Sequence, residues 1–190
     1  RGYRSFPGEV VEPGKAPIPS ECRGAFSGTT ENGTDFIVAG TDSNSASPVL
    51  SVIFGSVLDW IDASPSVALA TFDVAAKWDF AQYGDKIIAL AKGIDPQVID
   101  LSTTPSAGSF SNLGSGASQA SCCAVFKNFA ILGNLVGVDG NPGGNAVAVG
   151  TRSNAIHWSA IGDVESWPVL GQDAATNVQS DWQLLDGNGG

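Results

Sequence analysis

From Asp35 onward, apolar and polar side chains alternate at every second position, the pattern of half-buried β-strands. No stretch of convincing length repeats at helical spacing. The first strand runs over Asp35 to Gly40 and the second over Val49 to Phe54. Gly55-Ser56 then turns the chain into V-L-D-W-I, anchored by Trp60. Lys77 to Gly93 is the clearest unit. Trp78, Phe80 and Gln82 face one way and Asp79, Ala81 and Tyr83 the other; Gly84-Asp85 turns, and K-I-I-A-L-A returns. Ile94-Asp95-Pro96 breaks that strand, and Gln97 to Leu101 forms the next. Ser102 to Ala120 is mostly loop, with a short strand at F-S-N-L. Ser121 to Phe126, a Lys127-Asn128 turn and Phe129 to Leu135 make a further hairpin. Val136 to Asn145 reads as a flexible loop and Ala146 to Thr151 as a strand. Asn154 to Trp167 reads as two short strands closed by a tight turn at Ile161-Gly162-Asp163-Val164. The closing W-Q-L-L-D-G-N-G-G begins another strand.

Two units repeat. Trp78-Asp79-Phe80-Ala81, before the Gly84-Asp85 turn, matches Cys122-Cys123-Ala124-Val125, before Lys127-Asn128, at an offset of about 44 residues. Both lead into an apolar return strand, I-I-A-L against F-A-I-L. Four short strands per unit at roughly 40–50 residues is the spacing of a β-propeller blade. The expected fold is all-β, a partial propeller of antiparallel blades over residues 35–190. A β-sandwich is the alternative, because it also places strands every ~8–12 residues.

Residues 1–34 read as an extended Pro-rich N-terminal arm. Four prolines between Pro7 and Pro19 prevent a helix and forbid a central strand. The 24 glycines and 10 prolines among 190 residues suit many tight turns. Met is absent, even at position 1, so the chain is expected to be processed or a portion of something longer, and the propeller-like domain incomplete. The N-terminal R-G-Y-R-S-F-P-G-E has no apolar segment of a signal peptide. Ala124 to Val138, the best apolar run, is broken by Lys127, Asn128 and Asn134 and falls short of the ~18 apolar residues of a bilayer span.

Charge narrows the partners. The 19 acidic and nine basic residues give a formal net charge of −10, and no Lys/Arg cluster is present for binding phosphate. Such a surface repels nucleic acid and favours solubility.

Candidate chemistry is sparse, and no catalytic, cofactor-binding or metal-ligating residue is assigned. Cys22, Cys122 and Cys123 are odd in number and lack the spacing of zinc ligands. They read as reduced, small, core-like residues of a chain that folds in a cytosol. His157, the only histidine, sits mid-strand between Ile156 and Trp158, a structural place rather than that of a triad base. Paired carboxylates of a glycosidase cannot be assigned from sequence. Asp42-x-Asn44 and Asp139-x-Asn141 lack the rest of a calcium loop and are ordinary turn chemistry. Ser159 to Trp167, S-A-I-G-D-V-E-S-W, resembles the Asp-box of sialidases, although Ile161 holds the usual Asp position and the spacing to Trp167 is longer. That box is a folding motif. The five tryptophans offer rings on which sugars stack, Trp60 and Trp182 among them, but each opens or ends an apolar strand, as core indoles do.

Several stretches in order resemble bacteriophage tail structural proteins with propeller-like folds. They are F-I-V-A-G-T (36–41), W-D-F-A-Q-Y-G-D-K-I-I-A (78–89), G-I-D-P-Q-V-I-D-L (93–101), F-K-N-F-A-I-L-G-N-L (126–135) and I-H-W-S-A-I-G-D-V-E-S-W (156–167). The chain is similar to an N-terminal portion of the nozzle, or tail tubular, proteins of short-tailed phages. The resemblance implies a non-enzymatic virion component of the tail, assembled in the host bacterial cytoplasm. It implies a homo-oligomeric ring beside neighbouring tail and portal-adaptor proteins, with viral DNA passing without specific binding. It brings no catalytic residues and no cofactor. A carbohydrate-binding propeller that contacts the host surface is the alternative.

Overall fold

The computed structural model describes residues 18, 20–42, 47–70, 76–114, 116–135, 152–167 and 180–185. These residues form strands and no helix, so none of them lies in a helix long and apolar enough to cross a membrane. The first sheet comprises β1 (Cys22–Thr29), β2 (Asp35–Thr41), β3 (Leu50–Phe54) and β4 (Val57–Asp62). The second comprises β5 (Trp78–Tyr83), β6 (Lys86–Ala91), β7 (Gln97–Asp100) and β8 (Ser111–Asn112). The third comprises β9 (Ala120–Phe126), β10 (Phe129–Leu135), β11 (Arg152–Trp158) and β12 (Asp181–Leu184). Each sheet is an antiparallel meander whose spatial order is its chain order. The protein is therefore all-β, with three sheets where a sandwich has two.

Turn chemistry sets the registers. Gly84 adopts φ 57° and lets Tyr83 pair with Lys86 across a two-residue turn. The equivalent turn of the third sheet pairs Phe126 with Phe129, and there Lys127 takes φ 53°. A side chain at positive φ carries a steric cost that the glycine at position 84 avoids.

The second sheet lies between the other two, and β6 shows why its sequence is apolar without alternation. Ile87, Ala89 and Ala91 join Phe36, Val38, Leu50, Val52 and Trp78 in a core against the first sheet. Ile88 and Leu90 join Ala130, Leu132, Leu135, Ala155 and Trp167 in a core against the third. Burial on both faces removes the need for a polar side. The first strands stack face to face, β1 on β5 and β5 on β9.

Two expectations change. The arm does not extend to residue 34: Cys22–Thr29 pair with Asp35–Thr41 as β1. Past the last proline of the run every residue from Ser20 can donate its N–H, so the ladder can form. Residues 1–17 and Pro19 lie outside the described residues. Asn154 to Trp167 is not a hairpin. Arg152–Trp158 form one strand, and beyond it only a single bridge joins Ala160 to Asp163. Its pairing partners are β10 and β12, which leave no free side for Val164–Trp167. The flexible loop 136–145 and the strand 146–151 fall outside the described residues.

Candidate functional site

The feature that organises the molecule is the stack of β1, β5 and β9, and it is built from small residues facing large ones. Gly24 and Gly40 are cross-strand partners, and together they form a slot for the Trp78 indole. A Cβ on Gly40 would clash with Cγ and Cδ1 of the indole ring, and one on Gly24 would lie 2.5 Å from the Trp78 carbonyl oxygen. The indole Nε1–H donates to the Thr41 carbonyl at 2.9 Å, and Trp78 stacks on Phe80 with centroids 6.2 Å apart. One turn of pleat further on, Gly28 makes room for Gln82. Gln82 Nε2 donates to the carbonyls of Thr29 (2.8 Å) and Gly84 (2.9 Å). At the turn, the Glu31 N–H donates to Asp85 Oδ1 at 2.6 Å.

The opposite face of β5 meets β9 by polar contacts. Asp79 Oδ2 accepts the Cys123 N–H at 2.8 Å. Burial first, and then the Asp79 charge, push the Cys123 thiol far above its ordinary value; the same two causes raise Cys122 less. Neither thiol is a thiolate at neutral pH, so neither is a nucleophile there. Lys86 Nζ lies 3.3 Å from Glu165 Oε2. All three cysteines are free, but Cys22 and Cys122 are exposed rather than core-like.

His157 is fully buried. Its Nδ1 is 3.2 Å from the Ser118 hydroxyl, and its ring meets Trp167 edge-on at 4.9 Å. That setting is structural. The turn after β11 folds on itself. Ala160 N–H donates to the Ser166 carbonyl (2.8 Å), Glu165 N–H to Asp163 Oδ1 (3.0 Å) and Trp167 Nε1–H to the Val164 carbonyl (2.7 Å). Gly162 N–H reaches the Asn128 carbonyl at 2.8 Å, tying this turn to the β9–β10 turn. It therefore acts as a folding latch. Trp78 and Trp167 are buried, and Trp60 and Trp158 are half-buried; the side chain of Trp182 is not among those described.

Of the calcium candidates, Asp42 is buried and bonded by Ser20 Oγ (2.6 Å) and Arg23 (3.4 Å). Asn44, Asp139 and Asn141 lie outside the described residues. Among the described residues no group of three or more His, Cys, Asp or Glu side chains could hold a metal ion. Sequence reasoning placed Trp78 and Asp79 on opposite faces but missed the partners. The two glycines four residues apart in C-R-G-A-F-S-G-T, Gly24 and Gly28, were the available signal, because glycine inside a strand marks close approach of another backbone or ring.

No protein-family model, no curated protein and no solved structure matches the chain.

Proposed function

We propose that this chain is a non-enzymatic structural component of a bacteriophage tail, nozzle-like or hub-like, built as propeller blades. One observation carries the reading: three consecutive four-stranded meanders are stacked through their first strands. That is the arrangement in which propeller blades surround an axis. Stacked meanders leave only short edges, and an assembly of them shares mechanical load. The net charge of −10 supports a place beside DNA in transit, since a conduit that bound phosphate would retain its cargo. On this reading each propeller is a block in the wall or adaptor of the tail, in a homo-oligomeric ring beside other tail proteins.

Cryo-electron microscopy of the native particle tests the assignment. Density for this fold in the tail, repeated around its axis, is expected; its absence from the tail overturns the proposal. A second reading, a sugar-binding propeller at the host surface, draws on the half-buried Trp60 of the outermost strand β4. Selective glycan-array binding lost in Trp60→Ala would replace the first reading with this one.

A further inference from the structure

The third sheet has one face in the core and another that repeats the character of a packed face, on which no sheet of the described residues lies. Along β9 the outward positions are Cys122, Ala124 and Phe126, all exposed, Phe126 by 60%. Phe129 and Ile131 on β10, cross-strand partners of Phe126 and Ala124, and Ile156 on β11 continue it. At the far end of the stack, β1 turns Ala25, Ser27 and Thr29 outward, all exposed. Ile37 follows on β2, opposite Ser27 and 40% exposed. One end is aromatic and the other small, the same complementarity that seats Trp78 and Gln82 on Gly24 and Gly28 within the chain.

We infer that a second copy of this chain covers these surfaces head to tail, its first sheet on the third sheet of its partner. The inference extends the propeller-like stacking used above and does not rest on the phage assignment. The existing contacts set the alignment: Gly24 lies by Trp78 and Gly28 by Gln82, while Asp79 lies by Cys123. Carried one step further, Ala124 falls over Ala25 and Ser27 of the second copy, and Phe126 over Ser27 and Thr29. The turns meet at one end, as Glu31 and Asp85 already do. Lys127 then faces the acidic β1–β2 turn with Glu31 and Asp35, opposite charges in reach of each other. The contact is heterologous and must close to avoid a filament. Closed propellers typically have about 4–8 blades. With three sheets among the described residues of each chain, two copies give six, which falls in that range. The assembly is a dimer in which each end face is used once.

The test is the mass of the 190-residue protein in solution, by sedimentation velocity at micromolar concentration. A species of twice 19.4 kDa is expected. Added salt should strengthen it, because each copy carries a charge of −10. Phe126→Glu and Ala25→Glu alter opposite ends of the monomer at exposed positions, and each should dissociate the dimer at least tenfold more readily with unchanged circular dichroism. A zero-length carbodiimide reaction on mixed light and heavy-isotope protein should join Lys127 to Glu31 or Asp35 between copies. A monomer under all salt conditions overturns the inference. So does a dimer that both variants leave intact, or one whose light–heavy cross-links omit Lys127. The wild-type cross-link decides the matter even if a variant misfolds. A monomer would leave the tail assignment standing, whereas a dimer from a protein absent from the tail would break only that assignment.

Discussion

Where the second sheet meets the first, a bicyclic ring fills a slot cut by two glycines. Where it meets the third, a carboxylate reaches a backbone N–H. The first contact is steric: Gly24 and Gly40 admit Trp78 at a distance that any Cβ would forbid. The second is electrostatic: Asp79 bonds Cys123 N–H and, after burial, adds to the rise of the Cys122 and Cys123 thiols. The two faces of one six-residue strand thus use different physics. A shape fit tolerates no added atom, while a polar fit tolerates a change of shape but not loss of the acceptor.

Substitutions at the two contacts should separate them. Trp78→Ala empties the slot and removes a 5%-exposed indole, at a cost of about 3–5 kcal/mol in urea unfolding. A loss under about 1 kcal/mol would mean that the first and second sheets do not depend on this ring. Gly40→Ala adds one methyl group inside the ring's space and should cost up to about 3 kcal/mol. A neutral result would show that the sheets slide apart freely.

Asp79→Ala removes the acceptor from a part-buried N–H, for about 1–2 kcal/mol. Asp79→Asn keeps an acceptor and deletes the charge, so it should retain most stability while Cys122 and Cys123 alkylate faster in mild alkali. Equal loss from Asn and Ala would assign the contact to charge alone.

Alkaline pH probes the same contact in the unmodified protein. The folded state holds the Cys123 proton more tightly than the unfolded state, so above the ordinary thiol value the unfolded chain binds fewer protons. Stability is full below that value and falls as pH rises through it. Denaturation midpoints that stay level in this range would remove the buried-thiol account. Lys86→Ala, which breaks an ion pair between a half-buried Lys86 and an exposed Glu165, should change stability least, by about 0–1 kcal/mol.

Much of the chain was legible from alternation. The strands from Asp35 to Leu135 lie within a residue or two of their expected bounds, because period and turn residues are local properties. The split of Trp78, Phe80 and Gln82 from Asp79, Ala81 and Tyr83 was local too, and contacts on both faces of β5 follow it. The strand β1 was hidden because its small residues, Gly24, Ala25, Ser27 and Gly28, carry almost no apolar signal. Their smallness has meaning only once Trp78, more than fifty positions away, is placed on them.

The sequence by itself determined an all-β chain, its turns, and a repeat of hairpins, since each depends on neighbours a few residues apart. Only the tertiary structure decided which faces meet. It turned an expected hairpin at Asn154–Trp167 into a strand and a latch, buried His157 against Trp167, and left Cys122 and Phe126 on an outer face. Those outcomes depend on sheets far apart in the chain competing for the same apolar surface, and no local pattern records the result.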